Sequence, residues 1–352
     1  MEKILTVSVA AYNVRKTLAE TLESLIVPEI MEKLEVYIIN DGSTDNTMDV
    51  ASMYNRLYPG TFYVIDKKNG GHGSTINTSL AHATGKYFKI VDGDDWVFSQ
   101  NLSTFIEQLE NTEADIVTTQ FVEFYEQFDK SVTIDNALFK DGKTRNVDEF
   151  MGKRKFAMHE IAVKTSLLRE NNISIRENCF YVDHEFMQYS IGYANTVCEL
   201  DSCIYKYRIG AQGQSVSPVN RVKRISDQEL VLLDLLSWYE TNHSSLSVPK
   251  ANNAESNITN MLTYILESYG YYDTASSKLV KRSLQNLWKR VKEDYSAYKI
   301  DKYGIAFHQG EQVGFKRKIM FSFQYLLITF NFCGTSLFLH LRHSRLKKQK
   351  WS

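Results

Sequence analysis

Asp92, Asp94 and Asp95 crowd three carboxylates into four residues of this chain, with only Gly93 between them. Carboxylates this close repel one another, and burying them unpaired costs several kcal/mol or forces protonation. A divalent cation removes that cost. Mg²⁺ and Mn²⁺ take oxygen ligands and typically combine one or two carboxylates with substrate phosphates. The run therefore reads either as an Asp-x-Asp metal site that grips a diphosphate or as an acidic surface turn, since Asp and Gly are ordinary turn residues.

The elements around it favour a site. Residues 87–91 are an aromatic and β-branched run, the composition of a buried strand that ends at Asp92. Residues 4–11 form a similar run ending at Tyr12-Asn13, followed by a predicted helix over 14–26 with Leu18, Leu22, Leu25 and Ile26 on one face. A strand over 34–39 ends in Asn40-Asp41-Gly42-Ser43-Thr44-Asp45, where Ser43 or Thr44 can cap the next helix. A strand over 62–65 precedes Asn69-Gly70-Gly71-His72-Gly73 and a predicted helix over 74–84. This alternation predicts an α/β fold, Rossmann-like, with a mostly parallel sheet and crossover helices. Ligands of such sheets bind beyond the carboxyl ends of the strands. All four polar clusters fall there.

Composition bounds the rest. The 352 residues are 43% hydrophobic and 24% charged, with a net charge of −1. That balance gives no electrostatic case for nucleic acid. The four cysteines, Cys179, Cys198, Cys203 and Cys333, match no zinc or CxxC spacing and are expected to be reduced thiols. Residues 1–9 contain no apolar run of signal-peptide length, so catalysis is expected in the cytoplasm.

Taken in order, these motifs make the first 215 or so residues resemble the family 2 glycosyltransferases, which have the GT-A fold. Val9-Ala10-Ala11-Tyr12-Asn13 is similar to the family's Pro-x-Tyr-Asn opening, and Asn40 to Asp45 to its Asp-Asp-Gly-Ser-x-Asp signature. Asn69 to Asn77 resembles Asn-x-Gly…Ala-Arg-Asn, and Ala83-Thr84-Gly85-Lys86-Tyr87 the Ala-x-Gly-x-Tyr that leads into Asp-x-Asp-Asp. The resemblance implies that Asp41 reads the nucleotide base, most often uracil, although a turn or helix-capping role is its alternative. It implies that Ala11, Tyr12 and Asn13 line base and ribose, with Tyr12 equally readable as a packing residue. It makes Asp94 the principal ligand of Mn²⁺ or Mg²⁺, with Asp92 as a second ligand facing the sugar-nucleotide. Gly93 and Asp95 then lie at the donor sugar. Ile76 stands where the family often has arginine, and the glycine-rich backbone at Gly71 can approach the diphosphate instead. His72 reads as a loop residue.

Further along, Asn178 to Tyr189 resembles the segment in which the family has Glu-Asp before a helix. The match gives Asp183 the role of catalytic base and leaves Val182 in place of the glutamate. Glu185, two residues on, remains a competitor. Residues 205–215 resemble the family's Tyr-x-Tyr-Arg…Ser loop, so Arg208 is expected at the donor diphosphate, or else in a surface salt bridge. His159-Glu160 reads as part of an acceptor pocket or as a connecting segment.

From about residue 221 the pattern turns helical. The expected organisation is a GT-A catalytic domain over 1–217 (nucleotide-sugar half 1–97, acceptor half 98–217), a C-terminal helical region over 218–315, and a basic, apolar tail over 316–352. Residues 319–341 are mostly apolar, with Lys316, Arg317 and Lys318 before them and Arg342, Arg345, Lys347, Lys348 and Lys350 after. Basic charge on both flanks disfavours a spanning helix. In-plane or re-entrant amphipathic segments on an anionic inner leaflet are expected instead, with a buried terminal helix as the alternative.

The expected activity is inverting, metal-dependent transfer of a hexose or N-acetylhexosamine. A UDP-sugar is the donor, and a hydroxyl of a lipid-linked bacterial surface glycan the acceptor. The enzyme is then peripheral to the cytoplasmic face of the plasma membrane, and a homo- or hetero-oligomeric state stays open. The competing readings are a nucleotidyltransferase, or a sugar-nucleotide-binding partner subunit without activity, for which Ile76 and Val182 argue.

Overall fold

Leu5, Val7 and Val9 alternate with Thr6, Ser8 and Ala10, yet nearly the whole strand they form, β1 (Leu5–Ala11), is buried on both faces. A strand covered on both sides calls for helices above and below it. The computed structural model describes residues 2–210, 217–270, 286–287, 289–291 and 293–295. It continues through α1 (Leu18–Ser24), β2 (Leu34–Asp41), α2 (Thr47–Leu57), β3 (Phe62–Lys67), α3 (Gly71–His82) and β4 (Tyr87–Asp92). These strands run parallel in the order β3-β2-β1-β4, as the alternation predicts.

Beyond β4 the sheet is mixed. The chain adds β5 (Trp96–Val97), α4 (Ser99–Asn111), β6 (Ile116–Tyr125), β7 (Lys130–Ile134), β8 (Thr144–Asn146), β9 (Ile161–Lys164), α5 (Thr165–Glu170), α6 (Asp183–Tyr193) and β10 (Thr196–Ile209). Strand β9 lies antiparallel between β4 and β6, while β10 runs parallel to β6 and antiparallel to β5 and β8. No helix separates β6, β7 and β8, so their connections cannot make parallel crossovers.

Two helices begin elsewhere than their sequence suggests. Helix α3 starts at Gly71 and not near residue 74, because the Asp41 carboxylate at the end of β2 accepts the Gly70 and Gly71 N–H groups at 2.9 and 2.8 Å. A cap from another strand satisfies amide hydrogens that the local glycine-rich sequence cannot. Helix α1 starts only at Leu18. Asn13 adopts a left-handed φ of 54° and spends its side-chain oxygen on the Thr44 N–H at 2.8 Å, which holds residues 12–17 to the β2 loop.

The chain divides into two compact units, Met1–Gln212 and Gly213–Ser352. In the second, α7 (Pro218–Lys223), α8 (Ile225–Asn242) and α9 (Val248–Gly270) follow one another. Leu232, Leu235 and Leu236 of α8, and Ile258, Leu262 and Ile265 of α9, are buried, which fits the helical spacing of these residues. Arg221 is buried as well, stacked 3.6 Å from the Tyr264 ring and donating to the Tyr264 carbonyl at 2.9 Å. Among the described residues no helix is long and apolar enough to cross a membrane. The basic tail over 316–352 lies outside the described residues.

At the amino ends of the strands, the buried Glu35 carboxylate ties β1, β2 and the entry to β4 together. It accepts from the Thr6 hydroxyl at 2.5 Å, the Thr84 N–H at 2.5 Å, the Thr84 hydroxyl at 2.7 Å and the Gly85 N–H at 3.0 Å. Glu35→Ala takes this acceptor from the buried Thr6 hydroxyl and Gly85 N–H and from both Thr84 donors. It is expected to cost about 3 kcal/mol, read as a lower urea midpoint with unchanged m-value.

Candidate active site

The acidic turn is built from β1 outward. Asp92 ends β4 opposite Ala10. The Gly93 N–H donates to the Ala10 carbonyl at 3.0 Å, and the Thr17 and Thr21 hydroxyls donate to the Gly93 carbonyl at 3.0 and 3.1 Å. A Cβ at Gly93 would sit 2.6 Å from the Ala10 oxygen, so only glycine lets the chain turn here. Both carboxylates beyond the turn are thereby driven inward.

Asp95 is almost wholly buried. The Tyr205 hydroxyl donates to its Oδ2 at 2.6 Å and the Arg208 N–H to its Oδ1 at 2.7 Å. Burial, then the charges of Asp92 and Asp94, raise its pKa well above the usual carboxylate range. The same two effects, burial first and Asp92 next, push Asp94 up to about 6. His72 Nε2 lies 3.3 Å from Asp92 Oδ1. One ligand atom each from Asp92, Asp95 and His159 lie within 4.8 Å of one another. His159 is held flat against Tyr207, ring centroids 4.4 Å apart, and beside Tyr205. Two carboxylates and an imidazole around crowded negative charge suit a divalent cation, which would relieve the repulsion that raises these proton affinities. Asp94 stands next to this trio and not within it.

Lys89, a buried lysine in the middle of β4, anchors the His159 segment. Its Nζ donates to the His159 carbonyl at 2.7 Å and the Ile161 carbonyl at 3.2 Å, and burial lowers its pKa to about 7. The only trace of this in the sequence is one charge interrupting an apolar strand. Arg208 does not sit free for a phosphate. Its guanidinium bonds Glu20 at 2.6 Å and Glu126 at 2.8 Å, covers the Trp96 ring at 4.5 Å, and donates through Nε to the Asp94 carbonyl at 2.8 Å.

The residues expected to face a nucleotide gather at the ends of β1 and β2, where Ala11 pairs with Asn40. Ala11 is buried and Tyr12 is 51% exposed, an open ring at a strand end. Besides capping α3 through Gly70 and Gly71, Asp41 takes a 2.8 Å bond from Lys67 Nζ. Asn40, which departs from the family signature, donates to Asp66 Oδ1 at 2.6 Å and so serves packing of the sheet. Ile76 and Val182, the other departures, are core residues, each 1% exposed.

Asp183 opens α6 with an exposed carboxylate, at the end of the helix where the dipole favours negative charge. Its charge acts on both His159 and Tyr207, and Tyr207 also feels Asp92, Asp94 and Asp95. Carboxylates from two distant stretches of the chain thus act electrostatically on this pair of rings. Glu185 is buried instead, accepting the Arg176 N–H at 2.9 Å.

Residues 6–170 match the family model described as glycosyl transferase family 2. EpsH of Bacillus subtilis (strain 168), which bears a glycosyltransferase name, is 28% identical over 249 residues, 68% of this chain and 67% of EpsH. A teichoic acid poly(glycerol phosphate) polymerase of Staphylococcus epidermidis is 28% identical over 211 residues, 58% of this chain but 28% of that protein. Other curated relatives are matched over 17% to 42% of their own length. The structure of S. aureus TarS 1-349 in complex with UDP-GlcNAc aligns with a TM-score of 0.52 at 17% identity, covering 88% of this chain and 98% of that one. That likeness is one of fold, the GT-A sheet with its flanking helices. Residues 6–170 carry this family 2 similarity, and with the curated relatives it supports a glycosyltransferase enzyme with the GT-A fold.

Proposed function

We propose that this enzyme transfers a hexose or N-acetylhexosamine from a UDP-sugar to a hydroxyl of a surface-glycan acceptor, with inversion at the anomeric carbon. The observation that carries the reading is the cluster of Asp92, Asp95 and His159, whose ligand atoms lie within 4.8 Å of one another beside Asp94 at the carboxyl end of β4. UDP-GlcNAc bound to TarS supports a uridine donor, and the kinship with a teichoic acid polymerase supports a cell-surface acceptor.

Each residue then has a task. The open Tyr12 ring offers the base a stacking face, and Asp41, held by Gly70, Gly71 and Lys67, presents a fixed acceptor at the floor of the base site. Asp92, Asp95 and His159, with Asp94 beside them, would hold a Mn²⁺ or Mg²⁺ ion, which when bound neutralises the diphosphate as it departs. Asp183 is exposed at its helix start, so it can take the proton of the acceptor hydroxyl as that oxygen attacks the anomeric carbon. Attack from the face opposite the diphosphate inverts the configuration. The basic, apolar sequence over 316–352 supports a site of action at the cytoplasmic face of a membrane, on a lipid-linked acceptor.

Donor turnover across a panel of UDP- and GDP-sugars, with product anomers resolved by NMR, tests this. Turnover is expected with Mn²⁺ or Mg²⁺ and a UDP-sugar, lost with EDTA and in Asp94→Ala; turnover of GDP-sugars alone would refute the base assignment. Asp183→Asn is expected to lower turnover by about 10²–10⁴-fold while UDP still binds. Tyr205→Phe removes the hydroxyl on Asp95 and is expected to cost about 1–2 kcal/mol of stability by chemical denaturation and to weaken Mn²⁺ binding in calorimetry.

A further inference from the structure

Residues 175–179 run between the turn that holds Asp41 and the helix that carries Asp183, and they are gripped from both sides. On the α3 side, the Asn77 side chain accepts the Ile175 N–H at 2.9 Å and donates to the Ile175 carbonyl at 2.8 Å, a reciprocal pair. The same amide nitrogen lies 3.2 Å from Glu177 Oε1. The Asn178 N–H donates to the Gly70 carbonyl at 2.5 Å. The fit leaves no gap: a Cβ on Gly73 would fall 2.0 Å from the Arg176 carbonyl oxygen. On the α6 side, buried Glu185 takes the Arg176 N–H. Asn178 and Tyr181 complete the connection with φ of 54° and 66°. Asparagine tolerates that region, whereas for tyrosine it is strained, and such strain persists only where the surroundings over-determine the backbone.

We propose that residues 175–179 are a rigid bridge that sets the Asp183 carboxylate relative to the donor-binding turn, with Asn77 and Glu185 as its positioning residues. The inference rests on the reading of Asp183 as base. Glu185 is then no rival for that role: its carboxylate is buried and committed to a backbone amide. The turn at Gly70 and Gly71 fixes Asp41, and the backbone of the bridge carries that position to the start of α6. Displacing a reacting group by about 1 Å costs on the order of 10²-fold in rate. The bridge therefore acts on turnover and not on donor affinity.

The test compares the parent with Asn77→Ala, Glu185→Ala, Glu185→Gln and Asp183→Asn, measuring UDP affinity with Mn²⁺ by calorimetry and turnover of UDP-glucose and UDP-N-acetylglucosamine. Asn77→Ala and Glu185→Ala are expected to bind UDP within about threefold of the parent and to lose turnover by roughly 10–100-fold. Glu185→Gln keeps an oxygen for the Arg176 N–H and is expected to recover most of that loss. A Glu185→Gln variant as inactive as Asp183→Asn would make Glu185 the base and overturn the proposal. UDP affinity falling in step with turnover would overturn it too, reducing the bridge to a support of the donor turn. A parent that neither binds UDP nor turns over a donor refutes the transferase reading, and the bridge with it.

Discussion

The confinement of Asp92, Asp94 and Asp95 in one strand-end turn, with Asp95 buried and its neighbours half-buried, is the constraint on which the rest of this molecule depends. Three negative charges held so closely in low dielectric favour protonation or a cation. The fold does not relax that stress by opening the turn. It closes the turn with the Gly93–Ala10 hydrogen bond, the Thr17 and Thr21 hydroxyls before and within α1, and the Tyr205 and Arg208 donors from β10. The turn is thereby preorganised, with its carboxylates held together and not spread apart.

The long β10 strand is the element that makes this possible. Its parallel pairing with β6 places Tyr205, Tyr207 and Arg208 in a row beside the acidic turn. Tyr205 and Arg208 donate to Asp95, Tyr207 backs His159, and Arg208 also closes over Trp96 with Glu20 and Glu126. Arg208 thus acts on the backbone and on the carboxylates of the turn. A fork donor that bonds both the Asp94 carbonyl and two glutamates couples α1, β6 and β10 at the mouth of the site.

A second polar network holds the segment that delivers His159. Arg154, Glu160 and Glu199 are all buried; Arg154 pairs with Glu160 at 2.7 Å and also with Glu199. Glu160 accepts the Ala157 N–H at 2.8 Å, and Glu199 accepts the Leu138 and Phe139 N–H groups at 2.7 and 2.8 Å. Buried charges are tolerable only when each lone pair and proton is matched, and here the matches are backbone groups of the excursion between β6 and β9. Together with Lys89 on the His159 carbonyl, this network makes a long, irregular connection specific in position.

Local sequence determined much of the donor half. Strand-forming runs with polar clusters at their ends required a parallel sheet with a site beyond its carboxyl edge, because buried strands, crossover helices and strand-end ligands follow from short-range pattern. The crowding of Asp92, Asp94 and Asp95 was likewise readable, being a property of a few neighbouring residues, whereas the place of Asp183 at a helix start came from the family resemblance and Tyr12 stayed open between ligand and packing roles. Tertiary structure decided the rest. It brought His159 to the acidic turn, set Lys89 under it, drew Arg208 into an ion-pair cluster, made Asp41 the cap of α3, and buried Glu185 while leaving Asp183 open. Partners in these contacts lie from a handful to nearly two hundred positions apart in the chain, and a polar side chain chooses its partner by where the backbone brings it, which no local pattern encodes.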